Sequence, residues 1–298
     1  MKIQTLSVVV GTQACDAVCP FCVSKQTGYE EIPRNREINV RNLWKAIRLA
    51  KLGGTTTALL TGKGEPTLYP EEITDYLSHL HPDIPLIELQ TNGKQIGKLA
   101  ISGRSDVDLT DRVLDDWYVN GLDTIALSAV DIHNENNRKI YGDDYPGLLP
   151  IIQYLHQFEF SIRLCIMMHR DMVDSAKRVR EVIDFCREHK VAQLTLRPIR
   201  ATNDHENKRV AAYVEDNAPD ESDLTFVNHW VGASDHAKLM TLSHGATIYD
   251  VKGQNVCLSD CLTLEPDHDN IRTLIFYGDG RIAYDWQYHG AVFVAPAS

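Results

Sequence analysis

No hydrophobic run in this sequence is long enough to span a bilayer: stretches such as residues 6–10 and 162–168 fall far short of the roughly 20 apolar residues a transmembrane helix needs. The first residues, Met1-Lys2-Ile3-Gln4-Thr5, lead straight into a strand-like run and lack the pattern of a signal peptide. There is no basic tract with interleaved aromatics, and the formal net charge is −11, which argues against binding along a nucleic-acid backbone. Internal repeats and low-complexity tracts are missing as well. These absences leave a globular, cytoplasmic protein as the expectation. At 298 residues, 43% hydrophobic and 24% charged, the chain has room for one large α/β domain or two small ones.

What the sequence does have is cysteine concentrated in one place. Of seven cysteines, three fall within the eight residues Cys15-Asp16-Ala17-Val18-Cys19-Pro20-Phe21-Cys22. In a cytosolic protein such crowding points to metal or redox chemistry rather than disulfides. Three thiolates at this spacing suit three irons of a [4Fe–4S] cluster and leave the fourth iron open to a substrate. On the motif alone, two alternatives stand beside this reading. One is a zinc site with a distant fourth ligand, although zinc knuckles usually come as paired C-x2-C units. The other is a plain electron-transfer cluster.

Strand-like segments at 6–10, 55–61, 86–92, 124–128, 160–168 and 193–197 alternate with helical patterns at 39–52, 70–80, 109–120, 148–157 and 174–189. Such alternation predicts a parallel sheet with right-handed crossovers. The period-two faces of the strands differ in character. One face collects aliphatics such as Ile87, Leu89, Ile125, Leu127, Ile162 and Leu194. The other collects Glu88, Gln90, Asn92, Ser128, Arg163, Cys165, Thr195 and Arg197. A sheet covered by helices on both sides would be apolar on both faces, and a closed eight-stranded barrel fills its centre with branched aliphatics. The expected fold is therefore an α/β, partial (βα)6 TIM-like barrel over residues 1–200, open around a polar ligand. The competing reading is that Glu88, Arg163 and Arg197 simply pair with one another inside. Residues 201–298 form a C-terminal extension. Within it, the polar stretch 200–223 reads as a lid or a disordered connection, and 223–240 as holding a short helix. A small hairpin has arms near 273–277 and 281–286, turned by Gly278-Asp279-Gly280.

The C-x3-C-x2-C run, with Phe21 before its last cysteine, resembles the radical S-adenosylmethionine (SAM) superfamily when taken with the alternating strands. The resemblance covers about residues 5–200. It implies a [4Fe–4S] cluster on Cys15, Cys19 and Cys22, with SAM chelated to the open iron through its amino and carboxylate groups. An electron from the cluster would cleave SAM to methionine and a 5′-deoxyadenosyl radical, which abstracts hydrogen from a substrate. Thr61-Gly62-Lys63-Gly64-Glu65-Pro66 looks like the family's Gly-Gly-Glu-Pro motif, which meets the amino group of SAM; Gly64 and Glu65 match, and Lys63 stands where the first glycine is usual. Thr91-Asn92-Gly93 is similar to the family's Thr-Asn-Gly. Ser128 ends the fourth strand where the family often places a serine on SAM, and Arg138, after Asp131-Ile132-His133, corresponds to an arginine that meets the SAM carboxylate. Arg163 and Arg197 face inward by alternation and suit a carboxylate of SAM or substrate. An external electron donor such as flavodoxin or ferredoxin is implied too.

Cys257 and Cys261 form a C-x3-C pair ahead of the hairpin. In several branches of the family, cysteines so placed carry an auxiliary cluster. Four ligands would be needed, and only Cys165 and Cys186 remain to complete the set. Cys186 lies on the apolar stripe of a helix and reads as a core residue. Two other roles stay open: a thiol, Cys165 or Cys261, giving a hydrogen atom to a substrate radical, as in some radical epimerases, or purely structural thiols. The substrate expected is a small molecule, nucleotide precursor or peptide. The alternatives are an activase that makes a glycyl radical on a partner enzyme, and a non-catalytic iron–sulfur or zinc binding protein.

Overall fold

A computed structural model describes residues 1–26, 37–201, 207–233, 235–242, 245–259, 270–286 and 288–295. The chain opens with β1 (Lys2–Val9), passes through the cysteine loop and enters α1 (Val40–Leu52). There follow β2 (Thr57–Thr61), α2 (Pro70–Leu80), β3 (Leu86–Thr91), α3 (Lys94–Ser102), α4 (Asp111–Val119) and β4 (Leu122–Ala129). Next come α5 (Asn134–Tyr141), α6 (Leu148–Leu155), β5 (Ser161–Met168), α7 (Ala176–Glu188) and β6 (Gln193–Pro198). The C-terminal third supplies α8 (Lys208–Asn217), α9 (Glu221–Val231), β7 (Ala237–Thr241), β8 (Thr247–Val251) and β9 (Gln254–Leu258), then β10 (Asn270–Tyr277), β11 (Ile282–Ala283) and β12 (Val292–Val294).

Local chemistry sets these boundaries. Asn39, Thr110 and Ser175 cap α1, α4 and α7, each accepting from a backbone N–H three residues on. Pro70 opens α2, with Glu71 and Glu72 in its first turn, where the helix dipole favours them. Each helix turns one stripe inward; for α1 it is Leu43, Ala46, Ile47 and Ala50.

The strands form one twelve-stranded open sheet in the order β12-β11-β10-β1-β2-β3-β4-β5-β6-β9-β8-β7. The expected parallel series β1 to β6 is present, and the C-terminal third extends it on both sides. β10 lies parallel to β1 with Leu274 opposite Leu6, and β9 lies parallel to β6 with Val256 opposite Leu194. The expected hairpin is β10–β11. Within the stretch read as a lid or a disordered connection, Lys208–Asn217 form α8, which Asn207 caps and which buries Val210, Ala211 and Val214, so disorder is corrected there. Three apolar residues within one and a half turns are enough to dock a helix whose composition is otherwise polar. The sequence pattern also passed over α3 and α5.

The two faces of the sheet are as unlike as the alternation implies. Ile87, Leu89, Ile125, Leu127, Ile162 and Leu194 are at most 1% exposed within the main core, each worth roughly 2 kcal/mol of burial. On the other face Gln90, Ser128, Arg163 and Arg197 are half-buried and line the inside of the curve. Among the described residues no helix is long and apolar enough to cross a membrane.

Candidate active site

The site is assembled at the carboxyl ends of the strands, where parallel α/β folds bind ligands. After β1 the chain turns at Gly11, whose φ of +68° and contact with the Tyr69 ring (2.1 Å from an added Cβ) both demand glycine. Thr12 and Tyr69 join hydroxyls at 2.6 Å, and the chain then runs into the cysteine loop.

The turn after β2 packs directly on that loop. A Cβ at Gly64 would stand 2.0 Å from the Ala14 carbonyl oxygen, and the Glu65 N–H donates to the same oxygen at 2.9 Å. The Glu65 side chain is wholly engaged by protein. Its Oε1 accepts from Thr67 N (3.0 Å), Thr67 Oγ1 (2.7 Å) and Thr91 Oγ1 (2.6 Å), and its Oε2 accepts from Asn92 N (2.9 Å). Burial pushes its carboxyl upward and the four donors pull against that. Glu65 thus clamps the end of β2 to the end of β3.

The segment after β3 grips the cysteine loop from the other side. Asn92 Nδ2 donates to Asp16 Oδ1 at 2.8 Å and lies 3.9 Å from Cys15 Sγ. Gln95 donates to the other Asp16 oxygen at 2.7 Å. Lys94, only 2% exposed, spends its ammonium on Asp16 O (2.6 Å), Tyr141 O (3.3 Å) and Asp144 Oδ1 (2.7 Å). On the far side of the loop, the Phe21 ring is buried edge-on against His169 at 4.6 Å. His169 in turn faces Tyr213 of α8 at 6.2 Å, and Gln26 ties Phe21 O to Arg200 O.

Burial raises the Cys15 and Cys19 thiols to about 11 and about 12; nearby acidic groups add to the rise for Cys15, and each thiol is pushed further by its cysteine neighbours. Two buried thiols held in their neutral form suit a group that brings its own positive charge. Among the described residues no three His, Cys, Asp or Glu side chains converge as on a single metal ion, the arrangement zinc needs. Cluster ligands instead bind separate irons. What favours a cluster is the donor set itself, three thiols on one loop.

The remaining expected residues are distributed unevenly. Lys63 is buried beneath Trp286, its ammonium 5.3 Å from the ring centroid, and burial together with nearby Arg281 lowers it to about 8. Arg138 is exposed on α5, where its Nε donates to Tyr145 O at 3.4 Å; the structure does not bring it onto the inner wall. Asp131, fully buried, is gripped instead by Arg178 at 2.8 and 3.0 Å. On the inner wall Ser128, Cys165, Thr195 and Cys257 stand in one row across β4, β5, β6 and β9. Arg163 pairs with Glu88, which also accepts from Gln90 at 3.1 Å, so an internal ion pair is present. Cys186 is fully buried in the apolar core. Cys261 lies outside the described residues.

Lys94, Gln95, Tyr141, His169 and Arg178 were not foreseen. Tyr141 is 2% exposed, and its hydroxyl has no partner among the described residues. Burial, with Cys19 foremost among its charged neighbours, drives that phenol well upward. No local pattern marks these five, because each acts through a contact distant in sequence; the one available signal was the Asn-Gly-Lys-Gln run at 92–95.

A sequence model of the Radical SAM superfamily matches residues 9–190. No curated protein matches the chain. Among solved structures, Streptococcus suis SuiB bound to S-adenosylmethionine superposes with a TM-score of 0.62 at 15% identity, covering 99% of this chain and 63% of that one. SuiB bound to the precursor peptide SuiA gives 0.58 at 14% identity, with 99% and 62% covered. The chain thus spans somewhat less than two thirds of SuiB, and at these identities the likeness is one of fold. The family match runs from the end of β1 to just past α7, through the cysteine loop and the strand ends that hold it, and this chain belongs to the radical SAM superfamily.

Proposed function

We propose that Cys15, Cys19 and Cys22 hold a [4Fe–4S] cluster and that SAM lies across the carboxyl mouth of the partial barrel. When bound, the cluster supplies the electron that cleaves SAM to methionine and a 5′-deoxyadenosyl radical, which takes hydrogen from a substrate carbon. The observation that carries this reading is the anchoring of the cysteine loop at the mouth of a polar-lined barrel by Glu65 N, Asn92, Lys94 and Gln95. With the Glu65 carboxylate occupied, the backbone carbonyls at Gly62 and Lys63 are the groups offered to the SAM ammonium. Ser128, next to the end of β4, provides a donor, Phe21 packs one side, and Arg138 stands at the rim. Cys15, the residue of the triad most open to solvent although its thiol is partly covered, marks the side on which a reduced flavodoxin or ferredoxin approaches.

The substrate is a small molecule, nucleotide precursor or peptide; the SuiB complex with its precursor peptide supports the last of these. For the remaining thiols, hydrogen donation is the role that placement favours. Cys165 and Cys257 face the polar interior, and β6 separates them by two strand spacings, about 10 Å, too far for a disulfide.

The test is anaerobic reconstitution with iron and sulfide counting, followed by a dithionite assay for 5′-deoxyadenosine. About four irons per chain are expected from the triad, and about eight would add an auxiliary cluster at Cys257 and Cys261. Cys22→Ala should abolish the product; full SAM cleavage by that variant would overturn the proposal.

A further inference from the structure

Among the described residues, the inner wall carries more buried donors than its own acceptors satisfy. Arg163 lies at the deep end of β5 and Arg197 near the mouth end of β6; the row holding Cys165, Thr195 and Cys257 runs between them. Glu88 is the carboxylate paired with Arg163 among the described residues. Among the described residues, Nε of Arg163, Nε of Arg197 and Oγ1 of Thr195 are all buried without a hydrogen-bond partner. Thr195 is 1% exposed, so bulk water does not serve it. Guanidinium groups only donate, and buried donors without an acceptor are costly to keep. Each guanidinium also draws the Cys257 thiol toward its charged form against the effect of burial.

We infer that this row binds an anionic group of the substrate, a carboxylate or phosphate, between Arg197 and Arg163 with the Thr195 hydroxyl donating to it. The inference rests on the radical SAM reading for one point, that the barrel interior is the substrate chamber. SAM occupies the mouth, at the level of the cysteine loop, whereas Cys165 and Thr195 sit mid-strand beneath it. A planar fork from arginine suits either oxyanion. An anion held here would be flanked by Cys165 and Cys257, so the substrate would be oriented with both thiols at its sides.

The test uses the anaerobically reconstituted full chain without SAM or reductant. Succinate and inorganic phosphate are titrated separately against potassium chloride of equal ionic strength. Alkylation of Cys257 by N-ethylmaleimide is followed by mass spectrometry, together with the thermal midpoint. One of the two anions should slow alkylation about tenfold at ten times its Kd and raise the midpoint saturably, and which one does so tells carboxylate from phosphate. Arg197→Gln and Thr195→Val should lose both effects, whereas Arg112→Gln, at a side chain 90% exposed on α4, should keep them. Should Arg197→Gln not fold, Arg197→Lys preserves the charge without the fork and should show weakened protection. Equal protection by chloride, or undiminished protection in Arg197→Gln or Arg197→Lys, would overturn the inference. So would protection of Cys257 by SAM alone in competition with the anion, since the site would then hold the carboxylate of SAM. Absence of 5′-deoxyadenosine with anion binding intact would count against the radical reading and leave this one standing.

Discussion

Gly64 shows how little freedom a single position at this site has. Its α-hydrogen faces the Ala14 carbonyl, and an added Cβ would lie 2.0 Å from that oxygen and 2.7 Å from the carbonyl carbon. The obstacle is backbone, with no flexible side-chain end that can yield. Gly64→Ala should therefore push the cysteine loop away from the turn after β2, at a cost of about 2–3 kcal/mol. Iron retained per chain after reconstitution should drop severalfold, and the denaturation midpoint should fall with it. Gly62→Ala is the control: its nearest neighbours stand at 3.1 to 3.3 Å, and a few tenths of an ångström of adjustment accommodates it. Equal iron loading in the two variants would show that the contact with Ala14 is not what seats the loop. His169 makes a different kind of statement. Its Nδ1 donates to Met167 O at 2.8 Å, and burial lowers its pKa from 6.5 to about 4. Because the folded pKa is depressed, the unfolded chain binds more protons between those two values. Stability then rises with pH across the window and is lost as the medium is acidified through it. In the iron-free chain His169→Gln should lose about 2–3 kcal/mol less than the parent between pH 7 and pH 4.5, read from urea midpoints at each pH. Identical pH slopes would mean that the imidazole is not buried neutral.

At the scale of elements, the short run opening α3 is the one on which the site depends. Lys94 reaches the cysteine loop, the end of α5 and Asp144 with one ammonium. Lys94→Met keeps the length of the side chain and removes all three bonds, taking a donor from the Asp16 and Tyr141 carbonyls at about 1–3 kcal/mol, while exposed Asp144 keeps Lys98. The local consequence should exceed the global one: backbone amide exchange over residues 12–22 should accelerate more than exchange in β4 or β5. Uniform acceleration would mean that Lys94 supports the fold at large rather than the loop. This element also shows where sequence reading stopped. The strands were legible because Ile and Leu recur at period two, as in Ile162, Leu164 and Ile166, and the long helices because their stripes are aliphatic. α3 and α5 were not, because polar residues occupy part of their buried faces: Lys94 and Gln95 in one, Asn137 in the other. In the site itself, the cysteine spacing and Gly64-Glu65-Pro66 are written in consecutive residues and could be read. The arrival of His169, Tyr141 and Arg178 depends on which strand ends become neighbours, which local pattern does not encode. Arg178 shows the same limit: it lies 47 residues beyond the buried Asp131 that it pairs with, a distance no local pattern spans.

For the whole molecule, the decisive feature is that the last strands do not stand apart from the barrel. β10 pairs along the full length of β1, the strand that delivers the cysteine loop, and Ser7 and Thr273 join hydroxyls at 2.8 Å in the buried seam. Leu274, Phe276 and Ile282 belong to the same core cluster as Leu6, Val8 and Tyr76. Phe276 is fully buried and meets the Tyr76 ring edge-on at 6.2 Å, so one side chain near the end of the chain packs against α2. If this core is one cooperative unit, a cavity at the seam should be felt everywhere. Phe276→Ala should destabilise the protein by about 3–5 kcal/mol. The loss should appear as one shifted urea transition, seen alike by tryptophan fluorescence and by far-ultraviolet circular dichroism. Replacing Trp44, Trp117 and Trp230 by Phe leaves Trp286, beyond β11, as the sole fluorescent reporter of the C-terminal strands. Two transitions, the first confined to the surroundings of Trp286, would make the C-terminal strands a separable cover. A single one would mean that β1 and its cysteine loop owe their position to residues more than 250 places further along the chain.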